Sequence, residues 1–365
     1  MRTILESLLL FLQKRKNAQT LIFFITSRCN ALCDFCLYKD FLNDKASKDR
    51  ELTIDEINSM TKKYGALHFL SLSGGEPFIR RDIIEICESF ILNCNTKVID
   101  IPSNCFYSER IVESMSTLCR RYPDRLFQLQ LSIDHIDEKH DEIRKVKGLY
   151  KKAIETFNRL NSLDLNNLKL NINIVYLKEN SSDLPQIIKR VKSDFKCDRI
   201  SVGYLNKIIE HKEKLDDFVK FKKISNETVL ENVSKVFNPF ILGMKVATLI
   251  SNDLLGESLK EELMTSSYCK AGENIIVVTE KGDVYPCEPI WESIGSLRAY
   301  DYDIKRVTDS QKYKDFKEKY LSNQNCNCTW SCAMTSAVAT NKSFVARIPI
   351  KSVKVLGLAI KKLVF

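Results

Sequence analysis

No apolar run in this 365-residue chain approaches the roughly 18–20 residues needed to cross a bilayer, which excludes a helical membrane span. No export signal is legible either. Leu8-Leu9-Leu10-Phe11-Leu12 is short, follows Glu6 and lacks a small-residue cleavage site, so it reads as the apolar face of a helix over residues 1–20. Repeats and low-complexity tracts are absent. So is an excess of acid: 56 Lys and Arg against 47 Asp and Glu leave a net charge of +9. The lysines are spread along the whole chain. Charge alone therefore does not choose between nucleic acid, an anionic membrane surface and an acidic substrate. With 44% hydrophobic residues the composition is that of an ordinary globular protein, and the length suggests two or three domains.

Cysteine, by contrast, is abundant, with thirteen residues. Without an export signal they indicate a reducing cytoplasm rather than a disulfide framework. Eight stand in two groups, at 29–36 and 269–332. The other five, Cys87, Cys94, Cys105, Cys119 and Cys197, are expected to be small core hydrophobes.

The first group is Cys29-Asn30-Ala31-Leu32-Cys33-Asp34-Phe35-Cys36, directly after the apolar run Leu21 to Ile25. Three thiolates on one short loop can hold three irons of a 4Fe–4S cube and leave the fourth open to a cofactor. A zinc knuckle is the alternative, but zinc wants a fourth nitrogen or sulfur ligand and the flanks offer none.

Residues 21–209 alternate strand and helix. Strands are expected at 21–25, 67–73, 97–101, 126–133, 168–175 and 199–204. Thr53-Ile54-Asp55-Glu56 forms a capping box that opens the first intervening helix. Helical crossovers of this length imply a parallel sheet, and six units predict an α/β partial (β/α)6 TIM-like barrel that does not fully close. Ligands of such sheets sit at the C-terminal strand ends. The chain places Gly74-Gly75-Glu76-Pro77, Pro102-Ser103-Asn104, Ser132-Ile133-Asp134 and Asn173 there, with Arg144 following.

The cysteine loop with Phe35, the Gly-Gly-Glu-Pro turn, Ser-Ile-Asp and the later Ile143-Arg144 occur in an order that resembles radical S-adenosylmethionine (radical SAM) enzymes of the SPASM/twitch branch, over roughly residues 21–340. The resemblance implies that Cys29, Cys33 and Cys36 hold the SAM-binding cluster. It implies that Gly74, Gly75 and Glu76 take the methionine amino group, that Asn104, Ser132 and Arg144 take the ribose and carboxylate, and that Phe35 lies beside adenine. It further implies reductive cleavage of SAM to a 5′-deoxyadenosyl radical that abstracts a hydrogen atom from substrate, with electrons from a flavodoxin- or ferredoxin-type donor.

Residues 210–265 read as a charged helical connector broken at Asn238-Pro239, and residues 266–345 as a small β-hairpin and helix iron–sulfur domain. Ile275–Thr279, a Glu280-Lys281-Gly282-Asp283 turn and Val284–Pro286 form a hairpin between Cys269 and Cys287. Cys326, Cys328 and Cys332 follow. Five thiols compete for the four places of one auxiliary 4Fe–4S cluster, with Cys269, Cys287, Cys328 and Cys332 the favoured set and Cys326 a ligand, a spare, or the fourth ligand in place of Cys328 or Cys332. A four-cysteine zinc ribbon is the alternative, and with it a non-catalytic zinc module that binds nucleic acid.

Residues 346–365 form a basic amphipathic helix. Lys351, Lys354, Lys361 and Lys362 share one arc opposite Leu356, Ala359, Ile360, Leu363 and Val364, which suits an anionic membrane surface as well as a docked terminal helix. Nucleic acid is not expected as a partner of the enzyme. Few residues precede the barrel, so a separate peptide-recognition domain is not expected. The expected substrate is a small molecule or a lipid-linked sugar, with a peptide, as in peptide maturases, as the alternative. The expected location is the cytoplasm, at the inner face of the membrane if the tail binds lipid.

Overall fold

A computed structural model describes residues 17–43, 47–207, 215–231, 239–323, 326–341, 344 and 346–364. Most of the helix expected over 1–20 lies outside these residues. Contacts divide the chain into two compact units. One comprises Lys16–Ile200 and Gly272–Lys314. The other comprises Met1–Arg15, Ser201–Ala271 and Asp315–Phe365.

The first unit is built on a sheet. Strands β1 (Thr20–Thr26), β2 (Phe69–Gly74), β3 (Val98–Ser103), β4 (Leu126–Ser132), β5 (Leu168–Val175) and β6 (Arg199–Gly203) follow in sequence, and the division between units falls inside β6. The order across the sheet is β6-β5-β4-β3-β2-β1-β7-β8-β9, an open series as expected of an incomplete barrel. The pairs from β1 to β5 are parallel, with Phe23 opposite Leu72 and Ile101 opposite Leu129. Strand β7 (Ile275–Val278) adds to the other side of β1, also parallel, with Thr20 opposite Ile275. Strands β8 (Asp283–Tyr285) and β9 (Gly295–Ser296) then pair antiparallel. The hairpin of the second cysteine group is thus part of the barrel's sheet. It also places β1 inside the sheet, where six of its seven residues are buried.

The crossovers are amphipathic helices. α1 (Ile54–Tyr64) starts at the expected capping box, in which the Thr53 hydroxyl accepts from the Glu56 N–H and the Glu56 carboxylate accepts from the Thr53 N–H. Such a cap stabilises by about 1 kcal/mol. Helices α2 (Ile83–Cys94), α3 (Ser108–Arg121), α4 (Asp137–Arg144), α5 (Leu149–Asn161) and α6 (Leu184–Asp194) follow. Leu70, Leu72, Ile99, Ile101, Phe127, Leu129 and Leu131 are fully buried on one face of the sheet. Each such side chain removed from water stabilises by roughly 1.5–3 kcal/mol. Cys87, Cys94, Cys105 and Cys119 are buried, and Cys197 is half-buried.

The second unit contains α7 (Leu215–Glu231) and α8 (Pro239–Leu259), which starts at its proline as helix geometry favours. It also contains α9 (Ser331–Thr340) and α10 (Arg347–Val364). Helix α10 docks on α8: Val355 is buried, Arg347 pairs with Glu257 at 2.8 Å, and Lys351 pairs with Asp253 at 2.5 Å. Lys351 therefore faces the protein and not an outside surface, because a carboxylate on the neighbouring helix lies within reach. The side chains of Lys354, Lys361 and Lys362 lie outside the described residues. Among those residues, no helix is long and apolar enough to cross a membrane.

Candidate functional site

The cysteine loop leaves the C-terminal end of β1 and is braced from three sides. Glu51, itself buried, accepts from the Thr26 hydroxyl at 2.5 Å and takes the Arg28 guanidinium on both oxygens at 2.8 and 2.9 Å. Arg80 reaches the same carboxylate at 3.4 Å and donates to the backbone oxygens of Ile25 and Leu52. The Asn43 amide accepts from the Cys29 N–H at 2.9 Å and donates to the Cys29 carbonyl at 3.0 Å. These partners fix the chain on either side of Cys29, so the loop does not depend on its own few residues for shape.

The third brace is the Gly-Gly-Glu turn. The Gly75 N–H donates to the Thr26 carbonyl at 2.8 Å and the Glu76 N–H to the Arg28 carbonyl at 2.9 Å. A Cβ on Gly74 would lie 2.2 Å from the Thr26 oxygen, and one on Gly75 2.1 Å from the Arg28 oxygen. Gly74 also has φ +114°, a conformation side chains rarely adopt. Both glycines are required here by contact with the cysteine loop itself.

Glu76 is buried, and its carboxylate accepts from the Ser103 hydroxyl at 2.9 Å, the Asn104 N–H at 2.8 Å and the Phe78 N–H at 3.3 Å. Burial pushes it up to about 7 despite these donors. The Asn104 side chain donates to Asn30 within the cysteine loop at 3.0 Å. Ends of β2 and β3 and the loop are thus joined through one carboxylate and one amide.

From β4 comes a second anchor. Asp134 is fully buried and holds Arg144 at 2.6 Å; it also accepts from the Val175 N–H at 2.9 Å. His140 accepts from the Asp134 N–H, and burial and then Arg144 lower its pKa, so it stays neutral. The Arg144 guanidinium lies 5.8 Å from the centre of the Phe35 ring. Its Nε is buried without a hydrogen-bond partner among the described residues. Ser132 is half-exposed at the end of β4, opposite Asn173.

Burial pushes the Cys29 thiol up to about 12, with further contributions from Glu76, Cys33 and Cys36. Burial also raises Cys33 and Cys36, partly offset by the Arg144 charge. Among the described residues, no three Cys, His, Asp or Glu side chains converge as ligands of a single ion. Three soft thiols that feel one another's charge, near a buried guanidinium that Asp134 holds and whose Nε–H lacks a partner among the described residues, do suit a larger cluster with an anionic ligand beside it. The donor set therefore fits a 4Fe–4S cube on Cys29, Cys33 and Cys36.

Of the second cysteine group, Cys287 lies in the sheet unit, and Cys269, Cys326, Cys328 and Cys332 lie in the other. There the Thr265 hydroxyl donates to the Cys328 carbonyl at 3.1 Å, and the Cys269 N–H donates to the Thr265 carbonyl at 3.0 Å. Contact with the Cys326 side chain, followed by burial, raises the Cys328 thiol well above its usual value. Cys332 is exposed on the first turn of α9. The structure thus brings Cys326, which the favoured set left out, against Cys328.

Sequence reasoning passed over the face of the sheet opposite the helices. Ser71, Asp100, Gln128, Gln130, Lys169, Asn171 and Arg199 stand on it by strand alternation. Gln130 donates to both Asp100 oxygens at 2.8 Å, and Asn171 donates to Gln128 at 3.2 Å. Burial pushes Asp100 up to about 6 against the pull of Gln130, Arg199 and Ser71. The signal was present in the alternating Gln-Leu-Gln-Leu-Ser and Lys-Leu-Asn-Ile-Asn. A parallel strand covered on both faces reads as continuously apolar, and these do not.

Comparison with known proteins places this architecture in a class. Residues 23–191 match the family described as the radical SAM superfamily, and residues 269–333 match SPASM, an iron–sulfur cluster-binding domain. The chain belongs to the radical SAM superfamily and carries a SPASM domain; it is an enzyme that uses S-adenosylmethionine and 4Fe–4S clusters. It is 23% identical over 212 residues to GTP 3′,8-cyclase of Haemophilus ducreyi, covering 57% of this chain and 58% of that protein. It is 28% identical over 226 residues to a probable GTP 3′,8-cyclase of Methanocaldococcus jannaschii, covering 58% and 66%. The matches thus span less than two thirds of either relative. Among solved structures, Streptococcus suis SuiB bound to S-adenosylmethionine aligns with TM-score 0.58 and 16% identity, covering 83% of this chain and 68% of that one. The enzyme anSMEcpe with bound AdoMet and Cp18Cys peptide aligns with TM-score 0.56 and 16% identity, covering 94% and 99%.

Proposed function

We propose that this enzyme abstracts a hydrogen atom from a polar, hydroxyl-bearing substrate, a small molecule or a lipid-linked sugar. The supporting observation is the polar face of β3 to β6, where Asp100, Gln128, Gln130, Asn171 and Arg199 replace the apolar filling usual in a closed barrel. Such a face suits a ligand with many hydrogen-bonding groups, because an apolar ligand would leave unmet whatever these groups do not satisfy among themselves, the buried Nε–H of Arg199 among them, at a cost of about 1–3 kcal/mol each.

Cys29, Cys33 and Cys36 hold the cluster in this reading. Arg144, kept in place by Asp134, directs its free Nε–H to the methionine carboxylate, and Ser132 and Asn104 lie toward the ribose. Glu76 takes the methionine ammonium on lone pairs left over from Ser103, Asn104 and Phe78. Phe35 lies beside the adenine. SAM bound to the reduced cluster supplies the 5′-deoxyadenosyl radical. Cys269, Cys326 and Cys328, with a fourth thiol of the second group, would hold one auxiliary cluster that would carry electrons to or from the substrate, and the reductant is of flavodoxin or ferredoxin type.

A peptide substrate is the second reading, since SuiB also aligns in a structure bound to its precursor peptide SuiA, with TM-score 0.59. The test is stimulation of 5′-deoxyadenosine formation by anaerobic, cluster-loaded enzyme, offered sugar nucleotides, aminocyclitols, GTP and short peptides in parallel. Deuterium transfer from a labelled sugar or cyclitol into 5′-deoxyadenosine is expected. Stimulation and transfer from peptide alone would overturn the first reading in favour of the second.

A further inference from the structure

Helix α10 has two apolar sides. One is used: Val355 is 1% exposed against the protein, and the flanking Arg347 and Lys351 are held by Glu257 and Asp253 of α8. The other faces solvent. Ile350 is 73% and Val353 72% exposed, and Pro349 and Gly357 are exposed with them. Positions 350, 353 and 357 follow one another at the three- and four-residue steps of a single helix face. In the sequence the same steps continue to Ile360 and Val364. A docked terminal helix needs apolar residues on its inner side only, so packing on α8 leaves the outer stripe unexplained.

The charge of the segment is one-sided. Its eighteen residues contain Arg347, Lys351, Lys354, Lys361 and Lys362 and not one carboxylate. The acids that neutralise Arg347 and Lys351 come from α8, and no acid within the segment offsets the other three. A protein partner could cover the apolar stripe alone. A surface that combines apolar depth with negative charge also answers the lysines, whose stems lie along the apolar layer while their ammonium groups reach the headgroups.

We propose that the outer face of α10 lies in the interface of an anionic lipid bilayer, with the helix axis parallel to the membrane plane. The anchoring pairs to α8 keep the enzyme body attached to the helix while Ile350 and Val353 enter the acyl boundary. The proposal does not depend on which substrate the enzyme takes, and it needs neither cluster nor SAM for its test.

The full-length protein is mixed with vesicles of phosphatidylcholine alone or phosphatidylcholine with phosphatidylglycerol, and the bound fraction is read by flotation. Wild type is expected on the anionic vesicles, with affinity falling as salt is raised. The double variant Ile350→Asp/Val353→Asp is expected to lose at least about tenfold in affinity. Leu92→Asp, at a residue 70% exposed on α2, should bind as wild type does. The proposal is overturned if wild type stays with the soluble fraction, or if the double variant binds undiminished. It is also overturned if wild type is a dimer by light scattering and the double variant a monomer, which would make the stripe a subunit contact. Circular dichroism of the variants confirms that the helices persist.

Discussion

The two cysteine groups are built on opposite plans. The first occupies eight consecutive residues, and the structure surrounds it with fixed partners: Glu51 on Arg28, Asn43 on Cys29, Gly74 and Gly75 under Thr26 and Arg28. The second runs from Cys269 to Cys332 and is divided between two compact units. A local loop that is to hold a cluster with only three thiolates would need such bracing. A dispersed set takes its shape from the folding of the elements that carry it. Mutations should therefore act on the first group through its braces as well as its thiols, and on the second through the ligands alone.

The largest effect is expected from the loop itself. Cys29→Ala, Cys33→Ala or Cys36→Ala should abolish 5′-deoxyadenosine formation under reducing conditions, as read by chromatography of quenched reactions. Undiminished cleavage in any of the three would remove that residue from the site.

Next come the braces. Glu51→Ala leaves Arg28 and Arg80 without their shared carboxylate and is expected to destabilise by about 3–5 kcal/mol in urea unfolding of the metal-free protein. Gly75→Ala must push the Arg28 carbonyl away and should lower iron loading even where the protein still folds. Normal iron content in that variant would show that the close approach is dispensable.

A smaller effect sharpens the contrast. Cys326→Ala is expected to reduce iron from about eight to about four per chain, while Cys332→Ala keeps about eight. The reverse pattern would return the auxiliary site to Cys328 with Cys332.

The smallest effect is a pH dependence. Burial raises Asp100 to about 6 in the folded protein, above its unfolded value, so ionising it costs stability. The penalty is absent at low pH, grows between about pH 4 and 6, and is constant above. Asp100→Asn should therefore gain on wild type by up to about 3 kcal/mol as pH rises from 4 to 7 in thermal unfolding. A gap that does not change with pH would show that Asp100 is not held in a low-dielectric site.

Much of the fold was legible because its signals are local. Apolar runs of strand length, the capping box at Thr53–Glu56 and the helix start at Pro239 each act within one element, and each stands where the residues said. Helix α4 was missed, since seven polar residues and the single apolar Ile143, with only His140 and Arg144 buried, carry no apolar period. The braces were missed for a different reason. Glu51 is twenty-three residues from Arg28 and twenty-nine from Arg80, and only the fold brings the three together. Lys351 was assigned outward because the sequence shows a basic arc and not the carboxylate of Asp253 across from it.

By itself, then, the sequence determined the chemistry: three thiols at one spacing, strands alternating with helices, and turn residues at the strand ends. Tertiary structure alone decided why two glycines stand at the end of β2, which carboxylate gathers Arg28 and Arg80, and which side of α10 meets water. Spacing and periodicity are properties of neighbours along the chain, whereas burial, charge pairing and close approach belong to residues that meet only after the chain has folded.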